Sequence, residues 1–198
     1  MVLISFLILS QLTSCATLDQ SECKSANWEI IGLEDGSNGR YPSYIGKHRK
    51  ACADYGIAPD LKAYLRGHQS GLREFCTEQN GYERALSGHA NKNICPAELS
   101  NSFNRGYQKG YQLYLLQSKI DKLKANIDSH LHRLDDIENT KIAIEEEIID
   151  NSTGEVRRRA LLKEIKALER ETESLYHELD EMKLILSRLQ DKFHSRHR

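Results

Sequence analysis

The chain has 198 residues, 39% of them hydrophobic, and sets 28 lysines and arginines against 29 aspartates and glutamates. A charge this balanced creates no overall field to draw in nucleic acid or an anionic membrane surface, and so excludes nucleic acid as a partner. The length suits one ordinary domain or a small domain plus an extended element, and the composition favours the second.

Residues 2–9 form an apolar stretch, and Leu12-Thr13-Ser14-Cys15 follows with small residues before a cysteine, the spacing of a bacterial lipobox. Residues 1–14 read as a lipoprotein signal peptide, too short to span a bilayer. Cys15 is then the lipidation site, carrying diacylglycerol on its thiol and a further acyl chain, such as palmitate, on its new amine. Each buried CH₂ contributes about 0.8 kcal/mol, so three chains anchor stably. Met1-Val2 supplies no basic n-region, which fits a start upstream of Met1. Ala16 and Thr17 lack the Asp that retains many lipoproteins in the inner membrane, so by resemblance the sequence favours the outer membrane, facing the periplasm.

Residues 15–112 read as a small disulfide-bonded domain. Residues 20–112 hold Cys23, Cys52, Cys76 and Cys95, the single Trp, all three prolines and eleven of the twelve glycines. Four cysteines in an oxidising compartment read as two disulfides. Zinc is the competing reading, but no Cys-x-x-Cys or paired His at ligand spacing accompanies them, and no metal or cofactor is expected. Of the three pairings four cysteines allow, Cys23–Cys52 with Cys76–Cys95 is preferred because each closes a short local loop. Asp35-Gly36 and Asn38-Gly39 read as turns. Asp35, Arg40, His48, His68 and His89 are the polar groups a reaction could use, yet no nucleophile elbow, phosphate loop or carboxylate pair organises them. The reading is therefore not an enzyme, with no catalytic residue assigned. An internal echo follows: Tyr64-x-Arg66-Gly67-x-Gln69-x-Gly71 is matched by Phe103-x-Arg105-Gly106-x-Gln108-x-Gly110. Glycines four apart on a helix let another backbone approach closely. Helix packing is the first reading, and a ligand groove around Trp28, Tyr64, His68 and Tyr107 the second.

Several short motifs stand in one order: Cys23-x₄-Trp28-x₃-Gly32-x₂-Asp35-Gly36-x₂-Gly39, then Cys52-Ala53-Asp54-Tyr55-Gly56-Ile57-Ala58-Pro59-Asp60, then Tyr64-x₂-Gly67-x₃-Gly71-Leu72-x₂-Phe75-Cys76, Asn80-Gly81-Tyr82 and Cys95-Pro96. This order resembles a proteobacterial lipoprotein family defined by domain of unknown function 2799, over residues 23–111. Ala85 and Asn91 stand where a glycine and a tyrosine would be expected. The resemblance implies an envelope location and a disulfide-bonded domain, and no activity.

Residues 113–198 contain one glycine and no proline. Apolar side chains recur at Leu113, Leu116, Ile120, Leu123, Ile127, Leu134, Ile137, Ile144 and Ile148, and again at Leu161, Ile165, Leu168, Leu175, Leu179, Met182, Leu186, Leu189 and Phe193. Steps of three and four sustained in this way predict a coiled-coil seam. Residues 150–155 between the two runs combine turn formers with a capping-box pattern, Ser152 to Glu155. The expected element is an antiparallel hairpin turning near 150–155, with arms of roughly 50 Å at 1.5 Å per residue. Glu145, Glu146 and Glu147 would face Arg157, Arg158 and Arg159 across its tip and offset the dipole penalty each cluster incurs on its own helix. His130, Lys141 and Thr172 break the apolar row and read as register-setting polar positions.

The expectation is thus a mainly α protein, a small disulfide-bonded helical domain followed by a long antiparallel coiled-coil hairpin. It would act without catalysis as an envelope adaptor or assembly factor, binding an envelope protein through the hairpin. Self-association through the coiled coil is a second option. A ligand- or cell-wall-binding module and an unrecognised hydrolase are the alternatives.

Overall fold

The computed structural model describes residues 17–197, so the signal segment and Cys15 lie outside the described residues. Within them the regular structure is entirely helical: α1 (Gln20–Lys24), α2 (Trp28–Ser37), a 3-10 turn (Pro42–Tyr44), α3 (Ile45–Ala53), α4 (Leu61–Phe75), α5 (Glu78–Leu86), α6 (Ala97–Ile149) and α7 (Glu155–His197). They fall into two compact units. One comprises residues 17–84 with Ala90–Gln108, the other Ala85–His89 with residues 109–197. Because α6 runs without interruption from Ala97 to Ile149, the composition break at residue 112 marks no helix end.

Helix starts in the first unit follow their sequence signals. Asp19 and Glu22 form a reciprocal capping box on α1, the Asn27 side chain accepts from the Glu29 and Ile30 amides, and Asp60 accepts from the Ala63 amide. Asp35 and Gly36 lie inside α2 and form no turn, because the Asn27 cap starts the helix early enough to carry through them. The turn comes at Asn38-Gly39, where Gly39 takes φ +62° and the Arg40 amide donates back to the Asp35 carbonyl.

The central contact is between α2 and α4. A Cβ on Gly32 would overlap the Tyr64 carbonyl oxygen and one on Gly36 that of His68. Reciprocally, a Cβ on Gly67 would overlap the Glu29 carbonyl oxygen and one on Gly71 that of Leu33. Each helix thus presses its glycine face onto the other's backbone, at a distance that admits Cα–H···O contacts. Residue numbers rise together along the contact, so α2 and α4 run in the same direction. Parallel neighbours require a crossover, supplied here by the 3-10 turn and α3. The Cys23–Cys52 disulfide, Cα atoms 5.6 Å apart, ties that crossover to α1, and Cys76–Cys95, at 5.7 Å, closes the loop before α6. The sequential pairing is therefore the one formed. Cys23, Cys52, Trp28 and Tyr64 make one core cluster; Leu72, Phe75, Cys76 and Phe103 make a second.

The echoed motif proves to be half of a larger repeat. A Cβ on Gly81 would overlap the Phe103 carbonyl oxygen and one on Gly106 that of Glu78, as Gly32 and Gly67 do with Tyr64 and Glu29. An ion pair flanks each contact, Arg66–Glu29 at 2.9 Å and Arg105–Glu78 at 3.4 Å.

In the second unit the two long helices form the expected antiparallel hairpin. Leu113, Leu116, Ile120, Ile127, Ile137, Ile144, Leu161 and Leu179 are buried, and the other predicted seam residues are half-buried. Arg133 donates two hydrogen bonds to Glu171 (2.7 and 3.0 Å), and His130 meets Glu178 at 3.0 Å while its other ring nitrogen lies 2.9 Å from the Asn126 carbonyl oxygen. These cross-helix pairs fix the register that the apolar row alone leaves open.

If backbone contact between α2 and α4 holds the first unit together, Gly67→Ala should force the helices apart and destabilise the protein by about 1–3 kcal/mol or more. Gly46→Ala is the control, since nothing lies within 4 Å of its Cβ position. It should be neutral or stabilising by about 0.4–1 kcal/mol. Denaturant titration of both variants measures the difference.

Candidate functional site

Close approach of α2 and α4 brings a carboxylate into the interior. Asp35 is only 2% exposed, and its two oxygens take three donors. Arg40 reaches Oδ1 at 2.8 Å, while His48 Nε2 at 2.9 Å and the Tyr64 hydroxyl at 2.7 Å converge on Oδ2. The Gly39 turn at the end of α2 swings Arg40 back over the acid, α3 supplies His48 and α4 supplies Tyr64. Burial first, then the hydrogen bond to Asp35, hold the Tyr64 hydroxyl far above its ordinary pKa of 10.0, so it remains a donor. His68 Nε2 donates to the Arg40 carbonyl at 2.7 Å, and its ring stacks on Tyr64 at 5.9 Å.

His48 also carries the connection outward. Its Nδ1 lies 3.0 Å from Thr17 Oγ1, giving the line hydroxyl, imidazole, carboxylate. That order activates nucleophiles in acyl transfer. Here the carboxylate takes three donors from three segments, and so ties α2, α3 and α4 together. Removing one of these donors would leave a buried charge short of a partner, at a cost of about 3–5 kcal/mol.

Several site residues thus occupy places other than those expected. Tyr64 and His68 are buried and Trp28 is 9% exposed, so the groove expected around them is closed core. The Tyr107 hydroxyl accepts from the Asn91 amide at 3.0 Å. Asp35, Arg40 and His48, three of the five polar groups named from the sequence, come together, and Tyr64 joins them as a donor. Thr17 is the member the sequence did not suggest. His89 belongs to the second unit. Among the described residues no three His, Cys, Asp or Glu side chains converge as a metal site, and no helix is long and apolar enough to cross a membrane.

The hairpin tip is the second candidate. The turn holds itself: Asp150 Oδ1 accepts from both the Ser152 amide and hydroxyl, and the Thr153 hydroxyl donates to the Glu147 carbonyl at 2.7 Å. Ser152 therefore caps nothing on α7, because Asp150 has claimed its hydroxyl and the helix begins at Glu155. Of the facing charge clusters, Glu147 and Arg157 form the cross-tip pair, with two bonds of 2.7 and 2.9 Å. Arg158 instead donates to the Asp150 carbonyl at 2.9 Å, satisfying the end of α6, and Arg159 pairs with Glu155 on its own helix. Glu145 and Glu146 are exposed. A helix turns only a third of its residues toward a partner, so a cluster of three consecutive charges cannot all face across. Beside the turn, Ile149 and Val156 are 77% and 83% exposed.

Hydrogen bonds from Arg157, Arg133 and His130 hold the Glu147, Glu171 and Glu178 carboxyls below their ordinary pKa of 4.5. A carboxyl lowered by folding stabilises fully above that ordinary value and loses its contribution as pH falls through the lowered one. The hairpin's melting temperature should therefore drop on acidification below about pH 4.5, modestly because the pairs are exposed. Arg133→Gln with Arg157→Gln should flatten that acid limb, and an unchanged limb in thermal melts would show that the pairs contribute nothing.

No curated protein and no solved structure matches the chain. Residues 27–112, covering α2 to the first part of α6, match the family described as "Protein of unknown function (DUF2799)".

Proposed function

We propose that the chain is a non-catalytic lipoprotein, anchored to the outer membrane through Cys15 and facing the periplasm, whose hairpin docks on an envelope protein as an adaptor or assembly factor. The observation that carries this reading is the apolar tip. Ile149 and Val156 flank a turn fixed by the Asp150, Thr153 and Arg157 contacts, and leave most of their surface in water. Fully burying such a side chain contributes about 1.5–3 kcal/mol, so covering both offsets part of the cost of association, and a tip already fixed adds little ordering to that cost. The lipobox supports the location, and the domain family adds no activity.

The Thr17–His48–Asp35 line favours the hydrolase alternative. The bonds that Arg40 and Tyr64 add to Asp35 support a structural role instead.

Photo-crosslinkers placed at residue 152 or 159 of the membrane-inserted protein should trap one discrete protein. Ile149→Ser with Val156→Ser should reduce that product at least tenfold while leaving the melting curve unchanged, since both side chains are already exposed. A product that survives the double substitution contradicts docking through the tip. A product consisting of two copies of the chain replaces the adaptor with a self-association contact.

A further inference from the structure

Neutral overall, the chain is not neutral locally. From Gly36 to Ala53 it carries Arg40, Lys47, Arg49 and Lys50 and no acid. Two of these cations meet a third, Lys92, around a cavity of about 380 Å³ lined by Arg40, Lys47, Lys92, Tyr41, Ser43 and Tyr44. The Tyr44 ring holds the Arg40 guanidinium at 4.2 Å and the Lys47 ammonium at 4.7 Å. The Tyr41 hydroxyl donates to the Lys92 carbonyl at 2.8 Å, fixing that segment to the rim. No acid lines the cavity. Asp35 engages Arg40 from the buried side, which leaves a net positive concavity with the planar donors of an arginine and two lysine point charges.

We infer that this cavity receives the phosphate of an anionic phospholipid headgroup. The source is set by where the chain enters. Thr17 is hydrogen-bonded to His48, which shares Asp35 with Arg40 of the cavity. Thr17 stands two residues after Cys15 in sequence, a span of at most about 7 Å. The inference rests on the reading of Cys15 as the acylated residue, since acyl chains there bring the bilayer surface to the cavity. Tyrosine rings with polar tips suit that interfacial depth. The lipid anchor supplies residence on the membrane, and the cavity would set the orientation in which the protein stands.

The test uses the full-length chain in nanodiscs of phosphatidylcholine with or without phosphatidylglycerol, and reads the rate at which an amine-reactive reagent modifies each lysine. Phosphatidylglycerol should slow modification of Lys47 and Lys92 about fivefold, the factor corresponding to about 1 kcal/mol per lysine at an anionic surface, and leave Lys163 and Lys183 on α7 unchanged. Lys92→Gln, an exposed substitution, should raise by about fivefold the phosphatidylglycerol needed to protect Lys47. Equal slowing of Lys163 and Lys183, absence of slowing at Lys47 and Lys92, or equal protection by inorganic phosphate over pure phosphatidylcholine would each overturn the headgroup assignment. Palmitate labelling of the same preparation reads the anchor separately. An unlabelled chain that still shows selective protection on added discs upholds the cavity and refutes only the acylation.

Discussion

Everything distinctive in the first unit depends on two helices touching backbone to backbone. Gly32 and Gly36 on α2 and Gly67 and Gly71 on α4 leave room for a carbonyl oxygen where a Cβ would stand. At ordinary helix spacing, side chains would fill the interface, and the Tyr64 hydroxyl could not reach Asp35 across it. At this spacing the acid is enclosed and must be matched by donors. Arg40, His48 and Tyr64 provide them from three separate segments. An unpaired charge there would cost several kcal/mol, so the knot selects one arrangement of the crossover over others. Small glycine faces give little apolar burial, which is why the unit also uses two disulfides.

The same device occurs again at Gly81 and Gly106, with its flanking ion pair, but without the acid. At the position corresponding to Asp35, three residues after Gly81, stands Arg84, placed over the Phe75 ring at 5.1 Å. One helix pair therefore carries a polar knot, and its counterpart an aromatic contact, on a shared backbone solution. Use of the repeat for two kinds of interior fits a scaffold whose surfaces, not its core, meet other molecules.

What the sequence disclosed follows the strength of each local signal. The hairpin was legible because steps of three and four continue through both arms, and the turn because Asp150 to Gly154 concentrate residues that favour nothing else. The sequential disulfides were legible from loop length. The echo around Gly67 and Gly106 was visible, but its partner halves, Glu29-x-x-Gly32 and Glu78-x-x-Gly81, were not, since an acid three residues before a glycine is too common to notice. Trp28, Tyr64 and His68 looked like a groove because aromatic and glycine residues line grooves and glycine-packed cores alike; only the burial distinguishes them. The basic cavity is hidden by a charge balance that holds only over the whole chain, and Lys92 joins it from a distant segment. At the tip, composition showed opposite clusters, but helical geometry let only Glu147 and Arg157 meet across it.

The result is a first unit held together by backbone contact and covalent closure, and a hairpin whose register is fixed by exposed ion pairs and whose charged tip exposes Ile149 and Val156. The most direct measurement of the central claim is proton contact across the α2–α4 interface in the glycine-labelled protein. The Cβ positions of Gly32, Gly67 and Gly71 lie 2.9, 2.9 and 2.6 Å from the nitrogens of His68, Leu33 and Ser37. Because an α proton occupies each of those positions, nuclear Overhauser effects should connect the Gly32 α protons to the His68 amide, those of Gly67 to the Leu33 amide and those of Gly71 to the Ser37 amide. Their joint absence in the folded, oxidised protein, with side-chain contacts in their place, would contradict the backbone contact on which the account rests.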